Sequence, residues 1–220
     1  VRNMETRKRL KTRRKHGRAA DLNGAPSVMV SNFERRIPHY DMLDDSLADR
    51  FIEHALRLLE EIGCEFRDET AVAQWKDAGF TVENGRVRFS ADYIRDAIAK
   101  VPENYTHHAR NPARSMTVGG AHMMFGPAYG SPFIRDFDGE RRYATMEDFH
   151  KLLKLTQMSP ALNCGGGVII EPVDIPVPKR HLDMTYAHLR YADKPLMGMI
   201  TAKDRAEDCL AMCRLVFGED

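Results

Sequence analysis

From Thr145 onward the chain alternates helical and apolar segments, and that alternation constrains its fold more than any other feature. TMEDFHKLLKLTQMSP opens on a Thr-x-x-Asp capping box and reads as a helix. NCGGGVIIEP follows as a buried strand, KRHLDMTYAHLRYAD as a helix, PLMGMIT as a second buried strand and AKDRAEDCLAMCRLVFG as a third helix. Strands apolar on both faces, alternating with helices, define βαβ units on a parallel sheet. Two parallel strands leave an unpaired hydrophobic edge on each side and are not a stable domain alone. Either the strands upstream complete the sheet, or this is the front part of a longer α/β protein; the second reading is preferred.

The preceding residues are of another kind. In DDSLADRFIEHALRLLEEIGCEF, Leu47, Phe51, Ala55, Leu58, Leu59 and Ile62 recur at helical spacing, with Asp44, Asp45 and Ser46 as N-cap candidates and Gly63 as a stop. A short helix, DETAVAQWKDAG, leads into FTVENGRVRFS, where Asn84-Gly85 between alternating residues is a hairpin signal. Ser90 caps a third helix that Pro102 ends. From Tyr105 to Tyr143 short alternating runs separated by turns at Asn111-Pro112, Gly119-Gly120 and Asp138-Gly139 predict a β-meander. The expected organisation is a basic, disordered arm (residues 1–22), a helical and β-meander segment (23–144) and the first βα units (145–220).

The chain as a whole has no field that favours nucleic acid or anionic membranes, because 33 Lys plus Arg nearly cancel 32 Asp plus Glu. The placement of charge is informative: Val1 to Arg18 holds nine Lys or Arg against the single carboxylate Glu5. This arm reads as a solvated lead-in, with contact to RNA or an acidic partner as the alternative. No apolar stretch follows it, so it is not a secretory signal, and no run approaches a membrane span. Cys64, Cys164, Cys209 and Cys213 lack CxxC spacing and read as core residues in a reducing, cytoplasmic setting.

NCGGGVIIEPVDIP raises the question of a phosphate loop. Such loops place glycines after a strand and before a helix, where helix N–H groups meet the phosphate. Here Gly165, Gly166 and Gly167 precede the apolar residues, and the next helix waits until about Lys179. Glycines in that position mark the close approach of another backbone or of a ligand. The carboxylates Glu171 and Asp174 fall at the strand's C-terminal edge, where α/β proteins place their chemistry, or else pair with Lys179 or Arg180. Thr201 occupies the equivalent place on the next strand. The loop MFGPAYGSP displays Phe125 and Tyr129 on rigid turns, suited to a lid or a cation-binding face, or to packing the meander. His107, His108 and His122 lack metal-ligand spacing, and His181 and Asp183 read as structural. No nucleophile triad is legible, and the catalytic residues are not identifiable.

Six runs in the same order resemble one family: RRKHGRAADLNGAPS, ALRLLEEIGCEF, HARNPARSMTVGG, FGPAYGSP, DGERRYATMEDFHKLLKLTQMSPAL and GGGVIIEPVDIPVPKRHLDMTYAHLRYADKP. Together they look like the trimethylamine:corrinoid methyltransferases, which include glycine betaine and related quaternary-amine enzymes; the likeness runs from about Arg13 to Asp220. The resemblance implies a longer protein folded as a TIM (β/α)8 barrel behind a helical and β-stranded entry, with most of the barrel beyond Asp220. It implies SN2 transfer of a methyl group from nitrogen to Co(I) of a separate, cognate corrinoid protein. The corrinoid (cobalamin) would then come with that partner, and no cofactor or metal would be bound directly. Under this reading Phe125, Tyr129, Glu171, Asp174 and Thr201 are the substrate-binding candidates, the substrate is a tertiary or quaternary amine, and a homo-oligomer is compatible. One branch of the family carries pyrrolysine in the later barrel, at a position this sequence does not reach.

Overall fold

The structure, a computed structural model, describes residues 32–38 and 40–218. The basic arm and the first part of the extended lead-in lie outside the described residues. Strand β1 (Phe33–Glu34) is followed by helix α1 (Asp45–Glu61), which starts where the Asp44 carboxylate accepts from the Leu47 amide at 2.8 Å. Asp68 and Ser90 cap α2 (Glu69–Asp77) and α3 (Ala91–Ala99) in the same way, satisfying helix N–H groups that have no partner within the helix. Between the helices, β2 (Cys64–Glu65), β3 (Val82–Glu83) and β4 (Arg86–Val87) form an antiparallel sheet in the order β2-β4-β3. The β3-β4 turn has positive φ at both Asn84 (51°) and Gly85 (76°), the geometry that Asn-Gly favours in a two-residue hairpin.

This entry segment has its own small core. The Trp75 ring meets Phe80 and Phe89 edge-on at 5.1 Å, and Phe80 meets Tyr93 at 4.8 Å, around fully buried Val87. Helix α1 turns a different side to it from the one its periodicity predicts. Leu56 is buried and Leu59 half-buried, whereas Phe51, Leu58 and Ile62 are exposed. The reason is geometric: α3 and the chain at Phe89, whose amide donates to the Leu59 carbonyl at 3.0 Å, lie on one side of the helix.

The expected single meander divides. Strands β5 (Asn104–His107), β6 (Met116–Gly119) and β7 (His122–Met123) join β1 in an antiparallel sheet of order β1-β7-β6-β5. Strands β8 (Phe133–Arg135) and β9 (Arg141–Tyr143) form a separate hairpin. Residues 124–132 between them leave the antiparallel ladder, since two prolines remove donors and the remaining backbone groups bond to the glycine segment instead.

Helices α4 (Met146–Met158), α5 (Val177–Tyr191) and α6 (Lys203–Phe217) follow the predicted order. The Thr145 box is complete: Asp148 accepts from the Thr145 amide and hydroxyl, both at 2.9 Å, while its own amide bonds the Thr145 oxygen. Phe149, Leu153, Ile169, Ile170, Met184, Met199 and Cys209 form the main core. Burying each large side chain there contributes roughly 1.5–3 kcal/mol.

The two predicted strands are where expectation and structure part. Among the described residues they are reduced to isolated parallel bridges, Ser131 with Ile170 and Gly166 with Leu196. The glycine segment is buried as expected, but PLMGMIT is not apolar-covered on both faces: Met199 is buried and Met197 and Ile200 are exposed. Glycine and proline weaken regular pairing, and a strand bonded along one side only has little to hold it extended. The fold is mixed helix and sheet, with no closed barrel among the described residues.

Candidate functional site

Three segments run side by side in the same direction: 125–131, 163–171 and 195–197. The Phe125 carbonyl accepts from the Asn163 and Cys164 amides at 3.1 Å, the Gly130 amide donates to Val168 at 2.7 Å, and the Glu171 amide donates to Ser131 at 2.9 Å. On the other side the Gly165 amide donates to Pro195 at 2.7 Å, and the Met197 amide to Gly166 at 2.9 Å. The glycine run is thus the middle of three aligned segments, as its expected role of admitting a close backbone requires.

The glycines are sites of contact with the aromatic loop. A Cβ on Gly166, whose φ is +78°, would stand 2.7 Å from Pro127 Cγ; one on Gly167 would stand 3.2 Å from Tyr129 Cε1 and 3.3 Å from the Met197 carbonyl oxygen. On the other side, a Cβ on Gly165 would be 3.1 Å from the Pro195 oxygen. Asn163 fixes the loop's start, accepting from the Phe125 amide at 2.7 Å and donating to the Met123 carbonyl at 3.0 Å. The Phe125 ring meets Phe33 edge-on at 5.2 Å. The Tyr129 hydroxyl donates to the Met197 sulfur at 2.6 Å. Phe125 and Tyr129 remain 41% and 50% exposed. Burial, with the nearby Cys164 thiol, raises the Tyr129 pKa against an opposing hydrogen bond from the Gly167 backbone, so the phenol is neutral at physiological pH.

The carboxylates have protein partners. Glu171 is ion-paired with Arg180, which also donates to the Ile175 carbonyl at 3.0 and 3.2 Å. Asp174 accepts from the Met146 amide at 2.9 Å, placing a negative charge at the N-terminus of α4, where the helix dipole favours it. Lys179 pairs instead with Asp183 at 3.1 Å. Thr201 accepts from the Arg205 guanidinium one turn into α6. The structure therefore brings Phe125 and Tyr129 onto the glycine segment, while Glu171 and Thr201 tie their loops to the helices that follow and Asp174 ties its loop back to the start of α4.

Several buried polar residues escaped sequence reasoning. Lys194 is buried, and its ammonium donates to the carbonyls of Thr156, Ser159 and Leu162 at 2.7, 2.8 and 2.7 Å, closing the C-terminal end of α4. Burial, reinforced by Arg114, pulls its pKa down to about 8. His188 donates from Nε2 to the Gly167 carbonyl at 3.0 Å, and burial lowers its pKa to about 4, so the ring is neutral. Asp193 joins three elements: it pairs with Arg114 at 2.6 Å and accepts from Gln157 at 2.6 Å and Asn111 at 3.4 Å. In the sequence, only the charged pair Asp193-Lys194 just before Pro195, at a helix-to-strand junction, hinted at them.

The histidines do not assemble a metal site. His107 bonds the Leu196 carbonyl at 3.0 Å, His181 bonds Asp208 across α5 and α6 at 2.8 Å, and Cys209 contacts Thr185. No group of three or more His, Cys, Asp or Glu is placed to hold a metal ion among the described residues. Nor is any described helix long and apolar enough to cross a membrane.

These residues define an α/β chain in which an aromatic loop, its tyrosine bonded to a thioether, lies along a glycine-lined segment. The chain belongs to the trimethylamine methyltransferase (MTTB) family, whose model matches residues 7–220. It is 36% identical over 182 residues to a glycine betaine methyltransferase of Desulfitobacterium hafniense (strain Y51), covering 83% of this chain and 38% of that protein. It is 28% identical over 151 residues to a proline betaine:corrinoid methyltransferase of Eubacterium limosum, covering 67% and 31%. A third relative, an L-carnitine:corrinoid methyltransferase of the same organism, is 25% identical over 175 residues, covering 73% and 35%. The chain thus spans between 31% and 38% of the length of these relatives.

Proposed function

We propose that this chain is the N-terminal portion of a quaternary-amine:corrinoid methyltransferase, with its helices α4, α5 and α6 belonging to the first units of a (β/α)8 barrel. The observation that carries this reading is the relatives themselves. Three proteins named for glycine betaine, proline betaine and carnitine align with most of this chain, and each of those named compounds has a permanently cationic nitrogen. The parallel alignment of residues 125–131, 163–171 and 195–197 supports the barrel assignment, since successive barrel strands run parallel.

The bond-making power resides in Co(I) of a cognate corrinoid protein, which acts as methyl acceptor. The protein's task is to hold and orient the donor. In the transfer the N–C bond breaks, the methyl group passes to cobalt, and the bonding pair stays on nitrogen, which leaves as a neutral tertiary amine. No enzyme nucleophile is required. Phe125 and Tyr129, each about half exposed, supply ring faces to the ammonium, a contact contributing roughly 0.5–2 kcal/mol per ring. Glu171, tied to Arg180 but itself 44% exposed, adds negative potential nearby, while Asp174 and Thr201 hold the loops around the donor. The setting is cytoplasmic, where a reduced corrinoid partner is maintained.

Calorimetric titration of glycine betaine into the protein of full relative-like length tests the reading. Saturable binding, weakened by about tenfold in Tyr129→Ala, is expected. A protein that binds none of glycine betaine, proline betaine, carnitine and trimethylamine contradicts it.

A further inference from the structure

The three glycines are not consumed by backbone pairing alone, because glycine is not needed for one strand to hydrogen-bond another. The side-chain positions of Gly166 and Gly167 are instead occupied by Pro127 and Tyr129 of the neighbouring segment. Loop and strand run alongside each other: Gly126 lies beside Cys164, Pro127 over Gly166, Tyr129 beside Gly167, and the Gly130 amide bonds Val168. From the opposite segment, the Met197 sulfur takes the Tyr129 hydroxyl hydrogen, and its carbonyl lies 3.3 Å from where a Gly167 Cβ would stand. The ring is therefore held at its edge by an absence of side chain and at its hydroxyl by a thioether. Met197 is itself 38% exposed beside it.

We infer that Gly167 and Met197 are positioning residues that set the orientation of the Tyr129 ring and, through it, the fit of the methyl donor. This rests on the proposed methyltransferase reading. The two positions act differently. Gly167 lacks the positive φ of Gly166, so an added methyl group there meets only steric opposition from the Tyr129 ring and the Met197 carbonyl. Met197 supplies the only acceptor identified for the hydroxyl among the described residues, and replacing it with a hydrocarbon leaves the hydroxyl only its Gly167 backbone contact, which loosens the ring.

The test is steady-state methyl transfer by the full-length protein, with glycine betaine as donor and reduced corrinoid protein as acceptor, alongside calorimetry of donor binding. Gly167→Ala and Met197→Leu are expected to raise KM and the dissociation constant for glycine betaine about tenfold while kcat at saturation changes less than twofold. Met197→Gln, which restores an acceptor at similar reach, is expected to recover at least half of that loss, a rescue that a purely packing role would not give. Near-ultraviolet tyrosine circular dichroism reports the ring directly and is expected to change in Met197→Leu and return in Met197→Gln. If Met197→Leu binds donor as wild type does, or if Met197→Gln is no better than Met197→Leu, the inference is overturned while the methyltransferase reading stands. If the wild-type protein binds no quaternary amine, it is the functional reading that fails.

Discussion

At the scale of single residues, burial shifts the titration of the polar groups behind the glycine segment. His188 is the clearest case. Its pKa is lowered by burial from 6.5 to about 4, and its ring bonds the carbonyl of Gly167, the glycine that lies against Tyr129. The sign of the pH effect follows. Between about pH 6.5 and pH 4 the unfolded chain takes up a proton that the folded one refuses, so stability is complete above 6.5 and falls as acid is added. At 1.36 kcal/mol per pH unit the loss approaches about 3 kcal/mol at pH 4. Urea midpoints measured from pH 7.5 to 4 should fall in the wild-type protein, and His188→Gln should remove much of the slope. A flat profile would mean the histidine is not buried as described. The Asp148 carboxylate, held well below its ordinary range chiefly by Arg142, responds only at more acidic pH and does not obscure the window.

At the scale of elements, the antiparallel entry and the helical layer are joined through Asp193. It receives Arg114 and Asn111 from the turn between β5 and β6 and Gln157 from α4, while Arg110 donates to the adjacent Ala192 carbonyl at 2.9 Å. Asp193→Ala leaves the Arg114 guanidinium without this partner, and the turn at residues 108–115 should become a preferred site of limited proteolysis. Unchanged cleavage would show that packing alone holds the two layers together. The helices were legible because caps and periodicity are local: Asp44, Ser90 and Thr145 each act where the sequence put them. Which face of α1 is buried was not legible, since that depends on where α3 and Phe89 pack. The glycine run was legible as a place of close approach. Its occupants, Pro127 and Tyr129, lie some 40 residues earlier and could not be paired with it by spacing. The partners of Glu171 and Asp174 were equally hidden: one of two suggested cations, Arg180, pairs with Glu171, while Asp174 goes to an amide at the start of α4.

At the scale of the whole molecule, a chain spanning 31% to 38% of the length of its relatives carries exposed apolar surfaces. Leu210, Leu215, Val216 and Phe217 on α6 are exposed, as are Met197 and Ile200 on the outermost of the three aligned segments. In the proposed barrel these are surfaces that neighbouring strands and helices cover. Expressed as these 220 residues, the chain should aggregate or melt broadly; a sharp two-state transition from a monomer would contradict the incomplete-barrel proposal. Methyl transfer from a quaternary amine is read out by a proton NMR assay of donor demethylation by the full-length protein. With reduced corrinoid protein present, the trimethylammonium signal of glycine betaine should be replaced by that of its dimethylamino product, and without it the donor should persist. Loss of signal without the corrinoid protein, or no loss with it for any of the three betaine-type donors and trimethylamine, would contradict the account.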